Sequence, residues 1–325
     1  MKWGWGSIRR MRIPALVVVL AVLAFPARAE FPDKPIRFVV PFAAGGGADA
    51  LARAVGDGMS KYLQQPVIVD NKPGGDATIA GIYVKAQPAD GYTILFGSNT
   101  GFSGAPALHR TVGYDPLKDF TPISMMGMFP YFLVVNRDLP VKSLRELVDY
   151  VRAHPNELNY ASGNAMGIVG TGQLIAAEKL KMTHVPYKGE APAMPDLLSN
   201  RVQMIFTTGF IVPYVKDGRV KAIAAALDER NEALPDVPTV AESGFGYLSI
   251  RGWAGVFGPA GLPREIQMKL NAAVNESLKM QSTKDALALQ GFPGKGSTPQ
   301  ELSEFTKAQL QSWADGAKAA GITPE

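Results

Sequence analysis

The chain has no cysteine among its 325 residues, which excludes disulfides, thiolate chemistry and a lipid attached through sulfur. It has only three histidines, His109, His154 and His184, scattered without metal-ligand spacing; His154, beside Pro155, reads as a helix end. Nucleotide motifs are missing as well. Gly45-Gly46-Gly47 does not fit the spaced-glycine dinucleotide fingerprint, and no Gly-Lys-Ser/Thr follows it for a phosphate loop. No Gly-x-Ser-x-Gly elbow offers a hydrolase nucleophile. Acid pairs such as Asp228-Glu229 sit in a polar turn, where a solvated role outweighs acid/base work. The chain announces no catalytic residue, no metal site and no cofactor, although an active site assembled from distant residues stays open.

Net charge is low too, once its source is located. The formal charge is +4 and the isoelectric point about 9.1. Five cations (Lys2, Arg9, Arg10, Arg12, Arg28) precede Ala29 with no acid among them, so without that segment the charge is −1. Nucleic acid and anionic membrane lose their support as partners. The segment has a basic start, an apolar run from Ile13 to Phe25 and then Ala27-Arg28-Ala29. This is a secretory pattern, with residues 1–29 as signal peptide and cleavage before Glu30. The run is short for a membrane span, and an uncleaved anchor is the alternative reading. An exported, cysteine-free chain with such a signal belongs in the periplasm.

What is present from Phe31 onward is an alternation of short β runs and helical stretches, the pattern of an α/β protein with mostly parallel sheets, long enough for two lobes. Strands are expected at Ile36 to Val40, Val67 to Val69, Tyr92 to Phe96, Tyr131 to Val135, Leu158 to Ala161, His184 to Tyr187, Val202 to Phe206 and Ala222 to Leu227. Ser249 to Phe257 is strand-like and leads back toward the first lobe. Helices are expected after the glycines, through Leu51 to Leu63, at Ile79 to Ala86, after Ser143 with a Ser143–Glu146 capping box, through Leu174 to Leu180, around Met194 to Leu198, and at Arg264 to Met280 and Pro299 to Ala320.

Four loops share one design, each following a strand, rich in small polar residues and preceding a helix: Ala43 to Asp49, Ser98 to Gly104, Ser162 to Gly167 and Thr207 to Phe210. Such carboxyl-end loops converge on the ligand crevice of open α/β sheets. The glycine loop leaves backbone N–H groups bare at a helix start, where an anion is favoured. For any single loop a tight βα turn explains the composition equally well, and Asp49 reads first as a helix cap and only second as a ligand contact. Phe102, Met166 and Phe210 lie within the loops and are the apolar candidates for ligand contact, whereas Phe129 and Tyr131 read as core.

Phe31-Pro-Asp-Lys-Pro-Ile-Arg-Phe-Val-Val-Pro-Phe-Ala-Ala-Gly-Gly-Gly, Val69-Asp-Asn-Lys-Pro-Gly-Gly, Asp90-Gly-Tyr-Thr, Tyr114-Asp-Pro-Leu-Lys-Asp-Phe, Asn159-Tyr-Ala-Ser, His184-Val-Pro-Tyr-Lys-Gly189, Leu234-Pro-Asp-Val-Pro-Thr-Val-Ala-Glu242 and Pro259-Ala-Gly-Leu-Pro263 together resemble the Bug family. These are periplasmic solute receptors of tripartite tricarboxylate transporters, and the match spans nearly the whole mature chain. The resemblance implies a two-lobed, type II-like periplasmic binding protein with a mixed, mostly parallel sheet in each lobe, which closes on a small carboxylate and delivers it to membrane permease subunits. Lobe 1 would comprise residues 30–130 and 250–325, lobe 2 residues 131–249, and the receptor would act as a monomer without cofactor. By position, the ligand residues it implies are Phe42, Ala43, Gly46, Gly47, Ala48 and Asp49, then Ser98, Asn99 and Thr100, then Ser162, Gly163 and Asn164.

Three departures from the family pattern concern specificity. Ala48 stands where a threonine is usual, Ala165-Met166 replaces a Gly-Thr or Gly-Ser pair, and Thr207 replaces an aspartate that could hold a ligand ammonium. They imply a less polar pocket, for one or two carboxylates on an apolar or aromatic body packed against Phe102, Met166 and Phe210. Two other functions stay open on the same lobes: a ligand sensor for a signalling partner, and a periplasmic hydrolase.

Overall fold

The computed structural model describes residues 1–4, 6, 30–248 and 251–324. The expected signal segment from residue 7 to its cleavage motif at residues 27–29 lies outside the described residues, as do Ser249 and Ile250.

In chain order the first elements are β1 (Ile36–Val40), α1 (Gly47–Leu63), β2 (Val67–Asn71), α2 (Thr78–Lys85), β3 (Thr93–Ser98), α3 (Ala105–Leu108) and β4 (Phe120–Phe129). After Pro130 come β5 (Tyr131–Asn136), α4 (Leu144–Ala153), β6 (Asn159–Ser162), α5 (Ala165–Glu178), β7 (Thr183–Pro186), α6 (Glu190–Leu198), β8 (Met204–Thr208), α7 (Val212–Lys216) and β9 (Val220–Ala225). The chain ends with β10 (Gly252–Pro259), α8 (Arg264–Lys279), α9 (Gln281–Ala288) and α10 (Pro299–Ala319).

The strands form two five-stranded sheets, ordered β2-β1-β3-β10-β4 and β7-β6-β8-β5-β9. Both are mixed. β1 is parallel to β2 and β3, and β6 to β7 and β8, whereas β10 runs antiparallel to β3 and β4, and β5 to β8 and β9. The antiparallel share exceeds the sequence expectation because β5 and β10, the strands that follow the crossings between sheets, each insert between two strands of opposite direction. The chain crosses at Pro130 and again between β9 and β10, so the first sheet draws on both chain ends and the second on the middle.

β1 is apolar except at Arg37, which reaches solvent, and its Ile36, Phe38, Val39 and Val40 are fully buried. α1 turns Leu51, Ala52, Val55, Met59 and Leu63 to the core at helical spacing, against α8 and α9. α9 is absent from the sequence reading, which ends the preceding helix at Met280; Met280, in extended conformation, separates it from α8. The Ser143 cap of α4 forms half of its expected box: Ser143 Oγ accepts from Glu146 N at 3.2 Å, but Glu146 reaches back to the N–H of Lys142. A complete box caps α10, between Thr298 and Glu301. α10 packs on β4 and α3 in the first lobe and on α5 in the second, bracing the two lobes at one side of the cleft.

Candidate functional site

Between the lobes lies a small cavity, lined from the first lobe by Phe42, Ala43, Gly46, Gly47, Ala48, Ser98, Asn99 and Phe129. The second lobe contributes Tyr131, Asn164, Glu190 and Thr208. Strand ends and helix starts converge here, as expected for carboxyl-end loops of mixed α/β sheets.

The glycine loop has a different reason for each glycine. Gly45 sits at φ +85°, in the left-handed region that a side chain disfavours. Gly46 caps α1 in extended conformation, where a Cβ would make only ordinary contacts at 3.8 Å or more. At Gly47 a Cβ would come within 2.3 Å of Thr208 Oγ1 from the other lobe, so only glycine permits this approach. The N–H groups of the first turn of α1 have no intrahelical acceptor and carry the positive end of the helix dipole, which makes them anion donors.

Asp49 buttresses this loop and does not line the cavity. Its Oδ2 accepts from Gly45 N at 2.9 Å and Arg53 Nε at 3.0 Å, and its Oδ1 from Asn71 Nδ2 at 3.0 Å. Burial alone would raise its pKa; the donors Arg53, Gly45 and Asn71 outweigh burial and hold it below the ordinary value. The sequence offers a helix cap or a ligand contact; the structure shows a brace on the loop that precedes the helix.

Ser98 and Asn99 come from the end of β3. Asn99 Oδ1 accepts from Trp253 N at 3.2 Å, while Ser98 Oγ is buried with no hydrogen-bond partner among the described residues and Asn99 Nδ2 has only the Tyr131 hydroxyl beside it, leaving a donor unpaired. Buried polar groups are rarely left unpaired, so two such groups on a cavity wall mark it as a place where a polar ligand group fits. Thr100 lies one residue beyond the wall, accepting from Ala165 N across the lobes at 3.3 Å.

On the second lobe, Asn164 caps α5 by accepting from Gly167 N at 3.0 Å and donates its amide to Glu190 at 2.7 Å. Glu190 also accepts from Thr208 N at 2.9 Å and Thr208 Oγ1 at 2.6 Å. Burial pushes the Glu190 carboxyl up to about 7 against the pull of these donors. Burial likewise holds the Tyr131 phenol well above its usual range, with the Glu190 charge adding to it.

Several expected contacts lie elsewhere. Phe102 is stacked on Phe257 at 4.2 Å in an aromatic core with Phe120 and Trp253. Its residues 100–104 form a π-helical turn that winds the ring inward. Met166 is fully buried beside Gly170, whose neighbours also include Phe206. Phe210 packs on Tyr214 outside the cavity. Ser162 Oγ is engaged with His184 Nε2 at 2.6 Å, and Gly163 is pressed against the backbone of Gly189. Thr207 and Thr208 extend β8 beyond its expected end, and strand alternation turns only Thr208 to the cavity. The inference from Thr207 that the pocket lacks a carboxylate is therefore corrected: Glu190 supplies one from α6. The apolar wall is Phe42, Phe129 and Tyr131, two of which read as core because they flank Pro130 in continuous β runs. Glu190 and Thr208 were missed. The signal for Glu190 was an acid directly after Gly189, at a helix start placed too late because Pro192 and Pro195 interrupt the pattern.

The model of the tripartite tricarboxylate transporter family receptor matches residues 51–322. BugT of Bordetella pertussis is 32% identical over 325 residues, covering 96% of this chain and 98% of its own. The solved structure of the periplasmic binding protein BugD aligns with a TM-score of 0.87 at 31% identity, over 91% of this chain and all of that one. The R. palustris protein Rpa4515, solved with adipate, aligns with a TM-score of 0.87 at 33% identity and the same coverage.

Proposed function

The chain belongs to the tripartite tricarboxylate transporter receptor family, and from that premise we propose that it captures a small carboxylate with an apolar body between its lobes, in the periplasm, and delivers it to the permease of such a transporter. Family and structural neighbours are solute-binding receptors, not enzymes. The observation that carries the reading is the first turn of α1 at Gly46, Gly47 and Ala48, whose bare N–H groups face a cavity closed by the opposite lobe. The ligand carboxylate takes those donors, with Ser98 Oγ and Asn99 Nδ2 beside them, and the ligand body rests on Phe42, Phe129 and Tyr131. A solute touching both lobes favours the closed arrangement by its differential affinity, the property a permease reads. The binding of adipate by Rpa4515 supports the carboxylate class.

Unfolding and refolding to strip bound solute, followed by thermal-shift titration with aliphatic and benzoate-like acids, tests this. A solute at a hundred times its Kd adds about 2.7 kcal/mol of stability. Acids are expected to raise the melting temperature and their neutral amides are not. Equal shifts with acid and amide, or none with any acid, refute the reading. For delivery, deleting the gene should abolish uptake of the acid that binds tightest; unimpaired uptake refutes that part.

A further inference from the structure

The cavity holds an ionisable group that the capture of a carboxylate does not use. Glu190 is the first residue of α6 and only 7% exposed. It receives the donors that the second lobe brings to the cavity wall: the Asn164 amide, the Thr208 N–H and the Thr208 hydroxyl. An ionised carboxylate offers about four acceptor positions, so with three taken about one remains, beside the Thr207 hydroxyl. The chain's own carboxylate thus occupies the donors with which the second lobe would meet an incoming anion.

Among the described residues no lysine, arginine or histidine lines the cavity. Arg53, one turn into α1 from the glycine loop, is tied to Asp49 and Asn71. The anion donors that stay available are the first turn of α1 with Ser98 Oγ and Asn99 Nδ2 beside it, all on the first lobe, and together they accommodate one carboxylate. A second ligand carboxylate reaching toward the other lobe would meet Glu190 in a water-poor cavity, where like charges repel with little screening. A neutral or cationic donor on the same atom would find the unfilled acceptor position.

We propose that Glu190 is a specificity residue which restricts the site to acids with a single carboxylate, preferring those whose far end donates one hydrogen bond through a hydroxyl, amide or ammonium group, and rejecting dicarboxylates of the same length. This rests on the reading that the cavity holds a carboxylate at the glycine loop. Glu190 acts on the ligand directly, at the end opposite the acid group.

The test is calorimetric titration of ligand-stripped protein at about pH 8, where Glu190 carries its charge. Matched sets are hexanoate, 6-hydroxyhexanoate and adipate, and the four-carbon series butanoate, 4-hydroxybutanoate and succinate. Wild type is expected to bind the hydroxy acid at least about tenfold tighter than the matched diacid. Glu190→Gln keeps the shape and removes the charge, and is expected to narrow that ratio to about threefold or less. If wild type binds the diacid as well as the hydroxy acid, or if Glu190→Gln leaves a tenfold ratio unchanged, the inference is overturned while the carboxylate reading stands. If no acid of any kind binds to folded protein, the carboxylate reading itself fails and the inference with it. Should Glu190→Gln not fold, the wild-type ranking decides alone.

Discussion

Adding a single methyl group at Gly47 separates lobe closure from folding. Gly47 opens α1 with a φ that alanine can adopt, so Gly47→Ala leaves the ligand-free lobe intact and raises its stability by about 0.4–1 kcal/mol through the unfolded state. The new Cβ lies 2.3 Å from Thr208 Oγ1, about 1 Å inside ordinary contact, and 3.3 Å from Thr208 Cβ. Thr208 Oγ1 cannot rotate away without leaving Glu190, to which it donates at 2.6 Å. Overpacking of this kind costs about 1–3 kcal/mol, and it falls on the closed form alone, so affinity for the tightest-binding acid should drop about 5- to 150-fold. Thr208→Ala removes the obstructing oxygen and leaves the 3.3 Å contact with Cβ and a 3.0 Å contact with the flexible end of Gln290. In a double-mutant cycle read by calorimetry, Gly47→Ala in the Thr208→Ala background should therefore lose at least about 1 kcal/mol less than in wild type. Additivity within about 0.5 kcal/mol would refute a ligand-bound state in which α1 abuts Thr208.

Three further outcomes follow from the same geometry. Because the folded pKa of Glu190 is raised from 4.5 to about 7, the native state holds a proton that the unfolded chain has released; stability of the ligand-free protein should fall by about 3 kcal/mol as pH rises through that window and then level off. Glu190→Gln should flatten that segment of a denaturation-versus-pH curve, and an unchanged slope would assign it to other groups. Asp49→Asn weakens the brace on Gly45 and Arg53, so denaturant melts should show a loss of about 1–3 kcal/mol and titration a weaker affinity, without any change in ligand ranking; a changed ranking would mean Asp49 touches the ligand. Phe129→Leu should weaken benzoate-like acids more than linear ones, whereas Phe102→Leu should lower stability through its stack on Phe257 and leave the ranking alone; the reverse pattern would restore Phe102 to the site.

The glycine loop was legible from sequence because its chemistry is local. Three adjacent glycines between a buried strand and an amphipathic helix already specify a bare helix start. The loops that bear Ala43 to Ala48, Ser98 and Asn99, and Asn164 across the cleft, were legible as strand-end loops; the individual ligand residues, Phe42 among them, were implied by the family resemblance. What was not legible depends on direction and on distant packing. Strand alternation decides that Thr208 and not Thr207 faces the cavity, and β8 runs two residues beyond its expected end because β5 pairs with it as far as Thr208. A π-helical turn sends Phe102 into the core, although its loop does approach the site. Glu190 shows a second limit. Its identity as a cavity acid arises only when α5, α6 and β8 meet, and no spacing within α6 records that meeting.

The most direct measurement is a crystal structure of the ligand-stripped protein soaked with the acid that binds tightest. The expected result places the intact acid between the lobes, its carboxylate oxygens within hydrogen-bond distance of the N–H groups of Gly46, Gly47 and Ala48 and its far end directed at Glu190. An acid group bound away from that turn, or a chemically altered product in the cavity, would contradict the account.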